Sequence, residues 1–289
     1  MASLRTIRRS LRSVQNTKQI MRAMQLVSAS KLKRAQGRLL QARLVLEFLD
    51  GLLQRVLTVT PGLEHPLCVR REGAQSAAVI FTSDAGLCGS YNTNVIQLAE
   101  GHLRRDSAQP THLIYVGKKG YRYFTKRGFV AAEAFLDLAG RPDPAKAEAI
   151  SRSLMQRFLS GQIGSVDLIY SQFMSSMVYR PTVLHWLPVV IDPGTPAPRD
   201  AGTLSDYIFE PNPTRVFEDL LPRWALAKFQ LVMLEAFTSE HSARMIAMKN
   251  ATDNAEKLIT ELTMQRNKIR QASITKEICE IVGTAAALK

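Results

Sequence analysis

The sequence of 289 residues has no run of about eighteen or more apolar residues, so it predicts no membrane-spanning helix. It has only three cysteines, which are far apart and lack CxxC spacing: Cys68, Cys88 and Cys279. This count argues against a disulfide framework or a zinc site and predicts small buried thiols. The five histidines also lack a metal-ligand spacing such as HxxxH, so we predict no metal and no cofactor.

Proline is absent from the first 58 residues, and the only acidic residues there are Glu47 and Asp50. Twelve Lys or Arg residues give this segment a local net charge of +10 (12 minus 2), most of the +13 of the whole chain. We predict one long helix with Ser3 as its N-cap. Apolar residues recur at helical spacing, in blocks separated by phase slips, as in a coiled-coil seam: Leu4, Ile7, Leu11, Val14, Ile20, Met24, Val27, Leu32, Ala35, Leu39, Ala42, Leu46 and Leu49.

The C-terminal segment has a similar pattern. After Pro213 the only further proline is Pro222, and the only glycine is Gly283. Two long terminal helices with matching stripes pair most simply as an antiparallel coiled coil. The predicted seam has polar exceptions at Gln265 and Lys276, and its other members are small or apolar: Ala255, Leu258, Leu262, Ile269, Ala272, Cys279, Gly283 and Ala286.

The middle of the chain, from Pro61 to Asp206, alternates β-rich runs with amphipathic stretches. This alternation predicts βαβ units and a mostly parallel sheet with helices on its faces. The division is therefore an N-terminal helix at 1–58, a central α/β domain at 61–206 and a C-terminal helix at 207–289, with an exposed loop at 192–203. The predicted strands lie in 76–83, 111–117, 129–135, 166–173 and 181–189, and the predicted helices in 91–104, 118–127 and 143–160.

Two glycine-containing turns could suggest a nucleotide-binding enzyme. TSDAGLCGS (82–90) lies between a strand and a helix, where phosphate loops occur. It has only Gly86 and Gly89, with neither GxGxxG nor a following Lys-Ser or Lys-Thr, and VGKKG (116–120) fails in the same way. Asp84 near Cys88 has no partner base nearby in the sequence. Tight-turn packing is the preferred interpretation, and an α/β enzyme that uses residues 82–94 is the alternative.

The basic N-terminal helix raises a second alternative, a coiled-coil protein that binds nucleic acid. Aromatic residues are absent from Met1 to Glu47, so stacking platforms for bases are missing there. The pattern therefore favours a solvated helix face, or a face that meets an acidic protein surface.

Three stretches of the chain resemble the gamma subunit of F-type ATP synthases, the central rotor shaft, of bacterial type. They are SVQNTKQIMRAMQLVSASKL (13–32), TSDAGLCGSYNTN (82–94) and the long segment from Ser239 to Leu288, and the resemblance extends weakly through the middle. It implies an antiparallel coiled coil inserted along the axis of a hexameric head, with a Rossmann-like domain beside it. The implied partners are the alpha and beta subunits of the head, the epsilon subunit and the membrane c-ring, with no nucleic acid and no direct small-molecule substrate.

The resemblance also implies roles for single residues. Met24 matches a methionine at the contact with a catalytic beta subunit, whereas Arg270, Gln271 and Thr275 match polar residues that act as a catch against the head. The implied function is non-catalytic coupling of ion flow to ATP synthesis or hydrolysis. The chain departs from the family at Ala255 and Glu256, which stand where two glycines are usual. Without a leader peptide, the expected location is peripheral, on the cytoplasmic side of a bacterial inner membrane.

Overall fold

The computed structural model describes residues 4–69, 71, 74–105, 112–138, 140, 143–190 and 209–287. The predicted N-cap Ser3 and the predicted loop at 192–203 lie outside them. Each predicted strand and helix corresponds to one element of the same kind. In chain order these are α1 Leu4–Val59, β1 Gln75–Phe81, α2 Tyr91–Arg105, β2 His112–Val116, α3 Lys118–Thr125, β3 Ala131–Phe135, α4 Pro144–Leu159, β4 Ile163–Phe173, β5 Tyr179–Leu187 and α5 Pro213–Ala287.

The five strands form one sheet in the order β3-β2-β1-β4-β5. The pairs β1–β2, β1–β4 and β2–β3 are parallel, and only β5 runs antiparallel, against β4. The predicted fold class, a mostly parallel Rossmann-like α/β domain between long terminal helices, is confirmed. Five consecutive residues of β1, Ala77–Phe81, are buried, as expected for a strand covered on both faces.

The two faces of the sheet have separate apolar cores. On one face, Phe81 and Trp186 pack against Phe229 of α5, with ring centroids 5.9 and 5.2 Å from that of Phe229. The Trp186 indole N–H also donates to the Ala225 carbonyl at 3.0 Å, so the buried ring has its hydrogen-bond partner. On the other face, Tyr115 stacks on Phe124 of α3. The terminal helices therefore contribute to the core of the α/β domain.

The chain divides into two compact units, one of Met1–Ala29 with Arg244–Lys289 and one of Ser30–Ala243. In the second unit, Arg43 pairs with Glu235, and Trp224 donates to Asp50, so α1 and α5 run antiparallel there. In the first unit, Lys18 Nζ lies 2.9 Å from Glu256 Oε1. This hydrogen bond lowers the pKa of the Glu256 carboxyl, because it stabilises the charged form.

The inward stripe of α1 has a constant seven-residue repeat, which corrects the predicted phase slips. Ile20 is 61% exposed and Val27 is 57% exposed, so neither belongs to the seam. An unbroken repeat keeps one stripe facing the partner helix, and polar side chains occupy some of its positions. Among residues 4–28 this repeat is formed by Leu4, Ile7, Leu11, Val14, Lys18, Met21, Gln25 and Ser28, all buried or half-buried, and the predicted seam residue Met24 is half-buried beside it.

The stripe of α5 follows the same repeat and corrects two predicted seam positions. Leu258 is exposed, and Ile259 takes its place; Gln265 is also exposed, and Arg266 is half-buried. Every residue from Arg270 to Thr284 is exposed, so the described part of the chain does not cover the predicted seam residues Ala272, Lys276, Cys279 and Gly283. The side chain of Ala286 lies outside the described residues. The observed stripe is Met248, Thr252, Ala255, Ile259, Leu262, Arg266 and Ile269.

The cysteines differ in burial. Cys88 is buried as predicted, Cys68 is half-buried, and Cys279 is exposed, so the prediction was wrong for Cys279. Burial raises the pKa of the Cys68 thiol, because the thiolate is poorly solvated there. Among the described helices, none combines the length and the apolar character needed to cross a bilayer.

His65 should make the stability of the second unit depend on pH. Its Nδ1 accepts the Leu67 N–H at 3.0 Å, its ring packs edge-on against Phe217, and burial lowers its pKa. The unfolded chain therefore takes up a proton near pH 6.5, about the ordinary histidine value, before the folded chain does. Stability should be constant above this pH and fall as the pH drops through and below it.

The measurement is urea unfolding between pH 5 and pH 8, on the unchanged chain and on His65→Asn. Asparagine keeps a side-chain acceptor for the Leu67 N–H but does not titrate. We expect the loss of stability in acid to be smaller in His65→Asn. Equal losses in the two proteins would contradict this role of His65.

Candidate functional site

The loop at 82–90, the most enzyme-like segment, is closed by its own hydrogen bonds. Ser83 N–H donates to Asn92 Oδ1 at 2.9 Å, and Ser83 Oγ donates to the Ala85 carbonyl at 2.6 Å. Asn92 Nδ2 donates to Ser83 Oγ at 2.8 Å and to Cys88 Sγ at 3.1 Å. The thiol is therefore buried inside a turn network. This arrangement agrees with the preferred interpretation of tight-turn packing.

The first turn of α3, which follows VGKKG, directs its amide groups at the 82–90 loop. Lys118 N–H donates to Asp84 Oδ1, Lys119 N–H to the Ser83 carbonyl, and Gly120 N–H to Thr82 Oγ1, at 2.9 to 3.1 Å. A helix N-terminus binds phosphate through such amide groups when they point to open space. Here three of them already have protein acceptors.

Gly117 permits this close approach. Its φ is +104°, and a Cβ at this position would lie 2.0 Å from the Thr82 carbonyl oxygen. Asp84 adds a further link, because its Oδ1 also accepts the Asp137 N–H at 3.3 Å. The glycines and the carboxylate that suggested nucleotide or acid–base chemistry thus connect the ends of β1 and β2.

A buried polar segment of α5 was missed by the sequence analysis. All nine residues from 235 to 243 are buried, although the stretch contains TSEHS. Ser239 Oγ donates to the Ser171 carbonyl at 2.9 Å, Ser242 Oγ donates to the Ser176 carbonyl at 2.6 Å, and His241 Nε2 lies 2.8 Å from the Gly140 carbonyl. The available signal was the run TSEHS itself, a series of polar residues, uninterrupted by apolar ones, inside a segment that was predicted to be helical. These contacts tie α5 to the end of β4 and to the segment before α4.

An ion pair between α1 and α5 also lies in the second unit. Arg43 Nη2 lies 2.6 Å from Glu235 Oε1 and donates to the Phe173 carbonyl at 2.9 Å. The Glu235 side chain is only 5% exposed. Burial and the neighbouring Glu235 carboxylate raise the pKa of Tyr170. Arg43 thus joins the two terminal helices to β4, a connection with no counterpart in the local sequence pattern.

Met24 lies on α1 and is half-buried. Its carbonyl accepts a hydrogen bond from Ser28 Oγ at 2.8 Å. The neighbouring Leu26 and Val27 are exposed, at 65% and 57%. This turn therefore presents apolar surface beside the half-buried methionine, which is the surface that a second protein could cover.

Arg270, Gln271 and Thr275 lie on the exposed part of α5. Thr275 Oγ1 donates to the Gln271 carbonyl at 2.9 Å. The seven-residue repeat of the seam continues here through the polar residues Ser273, Lys276 and Glu280. The large exposed apolar residues lie off that line, at Ile274, Ile278, Ile281 and Val282. We name residues 270–284 the C-terminal helix segment.

The structure does not bring Met24 close to the three polar residues of the C-terminal helix segment. The Lys18–Glu256 pair sets the register of the first unit, and in an antiparallel pair each step forward on α1 is a step back on α5. Met24 is therefore level with about residue 250, some twenty residues or about 30 Å from Arg270 along the helix. Residue 270 is level with Leu4, the first described residue of α1, and α5 continues beyond the described part of α1.

An antiparallel pair of long terminal helices with an inserted, mostly parallel α/β domain defines the class, a coiled-coil protein with exposed apolar helix surface. The ATP synthase family model matches residues 3–288. The chain is 42% identical to the ATP synthase gamma chain of Symbiobacterium thermophilum over 99% of this chain and 98% of that one. It is 39% identical to the gamma chain of Moorella thermoacetica over the full length of both. The chain belongs to the ATP synthase gamma chain family.

Solved structures show the same fold at lower identity. The rotor of the Euglena gracilis mitochondrial ATP synthase contains a chain with a TM-score of 0.64 and 17% identity, which covers 94% of this chain and 98% of that chain. A chain in the central stalk and c-ring of the Tetrahymena thermophila mitochondrial enzyme has a TM-score of 0.59 and 22% identity, over 80% and 99%.

Proposed function

We propose that this chain is the non-catalytic central shaft of a bacterial F-type ATP synthase. The observation that carries the proposal is the C-terminal helix segment: it continues α5 beyond its pairing with α1 and exposes large apolar side chains that no part of α1 reaches. Such a helix needs a surrounding protein surface, since exposed apolar area is otherwise unfavourable in water. Membership of the gamma chain family supports a hexameric head of alpha and beta subunits as that surface.

The proposed mechanism follows from the asymmetry of a two-helix pair. The pair has a different face in each direction, so it contacts three equivalent catalytic subunits differently. Each of the three subunits is therefore biased toward a different conformation, and each conformation has its own nucleotide affinity. Such a bias requires that the shaft bind some conformations more tightly than others. Rotation by one third exchanges the three biases and couples ion flow to ATP synthesis or hydrolysis.

Within this proposal, Met24 and the polar residues of the C-terminal helix segment act at different levels of the head. Met24 contacts a catalytic beta subunit beside the exposed Leu26 and Val27. Arg270, Gln271 and Thr275 form the catch about 30 Å further along the helix pair. The basic side chains of α1 suit acidic loops of the head, with a Coulomb gain of about 1–4 kcal/mol per close pair before desolvation.

The proposed partners outside the head are the epsilon subunit and the membrane c-ring. The Tetrahymena chain with this fold belongs to a central stalk and c-ring, and the Euglena chain belongs to a rotor. These likenesses support a position of this chain between head and membrane. We place the chain on the cytoplasmic side of the inner membrane as a peripheral subunit. The segments 1–58, 61–206 and 207–289 are proposed as its N-terminal helix, central domain and C-terminal helix.

The two alternatives from the sequence have less support. The relatives described above are ATP synthase gamma chains, which does not support a nucleic-acid-binding coiled coil. For the enzyme alternative, the amide groups beside the 82–90 loop already donate to Asp84, Ser83 and Thr82. Calorimetry with ATP and NAD on the isolated chain tests the enzyme alternative directly; tight binding of either would restore it.

The main test is co-expression with the alpha and beta subunits of a bacterial ATP synthase. We expect a complex that holds one copy of this chain and hydrolyses ATP. A purified head that excludes the chain would contradict the proposed function.

Met24→Lys should leave this complex assembled but reduce ATP-driven proton pumping in vesicles with the whole enzyme. The substitution places a charge where the half-buried methionine is proposed to meet the head, at a cost of about 1–3 kcal/mol, or about 5- to 150-fold in the coupled step. Gln41→Lys adds the same charge at an exposed position of α1 in the second unit and should pump normally. Equal pumping by both variants would remove the Met24 contact from the proposal.

A further inference from the structure

The turn between β4 and β5 presents three large apolar side chains to solvent. Met174, Met177 and Val178 are 54%, 69% and 56% exposed. The turn itself is ordered by short hydrogen bonds: Met174 N–H and Ser175 N–H both donate to the Val178 carbonyl, at 3.1 and 2.9 Å. A turn of this kind usually carries polar residues, so three exposed apolar ones in MSSMV need an explanation.

The turn is also anchored to both terminal helices. Gln36 Nε2 of α1 donates to Ser176 Oγ at 2.9 Å, and Ser242 Oγ of α5 donates to the Ser176 carbonyl at 2.6 Å. These two contacts hold the backbone of the turn while its apolar side chains stay outside. Leu40, one helical turn after Gln36, is 63% exposed on the same side of α1. We name Leu40, Met174, Met177 and Val178 the methionine patch.

The place of the methionine patch in the second unit suggests what covers it. Ser242 is the residue before Ala243, where α5 leaves the unit, and Gln36 lies six residues after Ser30, where α1 enters it. The two anchoring residues of the patch therefore lie, along the chain, within a few residues of the points at which both helices leave the unit. In the proposed function, the head encloses the parts of both helices that lie beyond the unit. The rim of the head is then the surface of another subunit that the patch is expected to meet.

We propose that the methionine patch is a sliding contact with the rim of the catalytic head. A surface on a rotating shaft meets three copies of the same subunit in turn, so it cannot depend on directional bonds that lock one position. Methionine suits this role because its unbranched side chain adapts to different apolar surfaces. Exposed cations flank the patch, with Lys33 seven residues before Leu40 on the same helix face and Arg180 at the start of β5. The rim that it meets is therefore apolar with flanking carboxylates.

The test uses the complex assembled with alpha and beta subunits and rests on the proposed function. A photoreactive benzoylphenylalanine replaces Met177, and the complex is irradiated and separated by mass. We expect a covalent adduct between this chain and a head subunit. The control places the same group at Val130, which is 84% exposed beside the edge strand β3 and should give no such adduct.

Two further arms separate the possible failures. The same group at Arg270 should form an adduct with the head under the proposed function. An adduct at 270 but none at 177 would overturn the sliding contact and leave the proposed function intact. If neither position formed an adduct with the head, the result would count against the sliding contact and the proposed function alike. An adduct at 177 with another copy of this chain would also overturn it.

Charge substitutions test the chemistry of the rim. Met177→Asp should reduce ATP-driven pumping at least about threefold, because its carboxylate is repelled by the carboxylates that flank the proposed apolar rim. Met177→Lys should pump normally, because its ammonium is attracted by those carboxylates and, at a position that is 69% exposed, is not desolvated against its own chain as a lysine at the half-buried Met24 would be. Normal pumping by the aspartate variant, or equal losses in both, would contradict an apolar rim with flanking carboxylates.

Discussion

Replacing Gly117 with alanine should lower the free energy of unfolding of the central domain by about 4 kcal/mol or more, which is at the upper limit for a point substitution. A Cβ at this residue would lie 2.0 Å from the Thr82 carbonyl oxygen, and the atom in the way is backbone that cannot rotate aside. The φ of +104° adds strain for any residue with a side chain. Thr82 N–H also donates to the Val116 carbonyl at 2.7 Å, so retreat of Thr82 would break the pairing of β1 with β2.

The matched control is Gly128→Ala. Gly128 also has a positive φ, of +86°, but a Cβ there has no atom within 4 Å. Gly128→Ala should lower the free energy of unfolding by only about 1–2 kcal/mol, because the left-handed backbone conformation is the only source of strain. Thermal or urea unfolding, followed by circular dichroism, measures both. If Gly117→Ala were no more destabilising than Gly128→Ala, the close approach of the two turns would not be the reason for this glycine.

Replacing Arg43 with methionine should destabilise the second unit by about 3 kcal/mol, the lower end of the range for a broken buried ion pair. Glu235 would keep its buried position without the guanidinium that lies 2.6 Å away, and the Phe173 carbonyl would lose its donor. We expect the lower end of that range because the Arg43 side chain is 39% exposed, so solvent already weakens its attraction to Glu235. Methionine retains much of the apolar stem and isolates the effect of the charge.

The double variant Arg43→Met with Glu235→Leu provides the control. With both charges removed, no buried carboxylate is left alone, so stability should recover by most of the lost 3 kcal/mol or so. Urea denaturation of the four proteins in this cycle gives the coupling energy. A double variant that is less stable than Arg43→Met would show that packing of these side chains, and not the isolated carboxylate, causes the loss.

The elements of the central domain were predictable because their signals are local. Runs such as SAAVIFTS and VDLIYSQF are apolar and β-branched, and amphipathic stretches separate them, so each predicted run contains a strand of the sheet. The direction of β5 shows the limit of such local signals. It runs antiparallel to β4, and the short turn MSSMV between them is what permits that direction.

The helix seams were predicted less well, because the side of a helix that is buried depends on a partner far away in sequence. Ile20 and Val27 looked like seam residues from their apolar character, yet Lys18 and Ser28 occupy the seam. The position of Lys18 follows from Glu256 on the other helix. The exposure of Cys279 has the same origin, since it lies on the part of α5 that extends beyond the described residues of α1.

The candidate site residues differ in what the sequence could predict. Met24, Arg270, Gln271 and Thr275 came from resemblance to a family, and their proposed contacts involve other subunits. Arg43 with Glu235 and the methionine patch had no sequence signal. Each joins residues at least 130 positions apart, and such a pairing arises only when the chain has folded.

The sequence by itself determined two long terminal helices, an alternating α/β domain between them and, by resemblance, membership of the gamma chain family. Periodicity and turn residues act within a few positions, and family motifs are read directly from residue order. The tertiary structure alone decided which side of each helix is buried, that α5 extends beyond α1, and that the turns at 82–90 and 116–120 satisfy each other. These depend on register between distant segments, where a shift of one residue turns a different side chain toward the core.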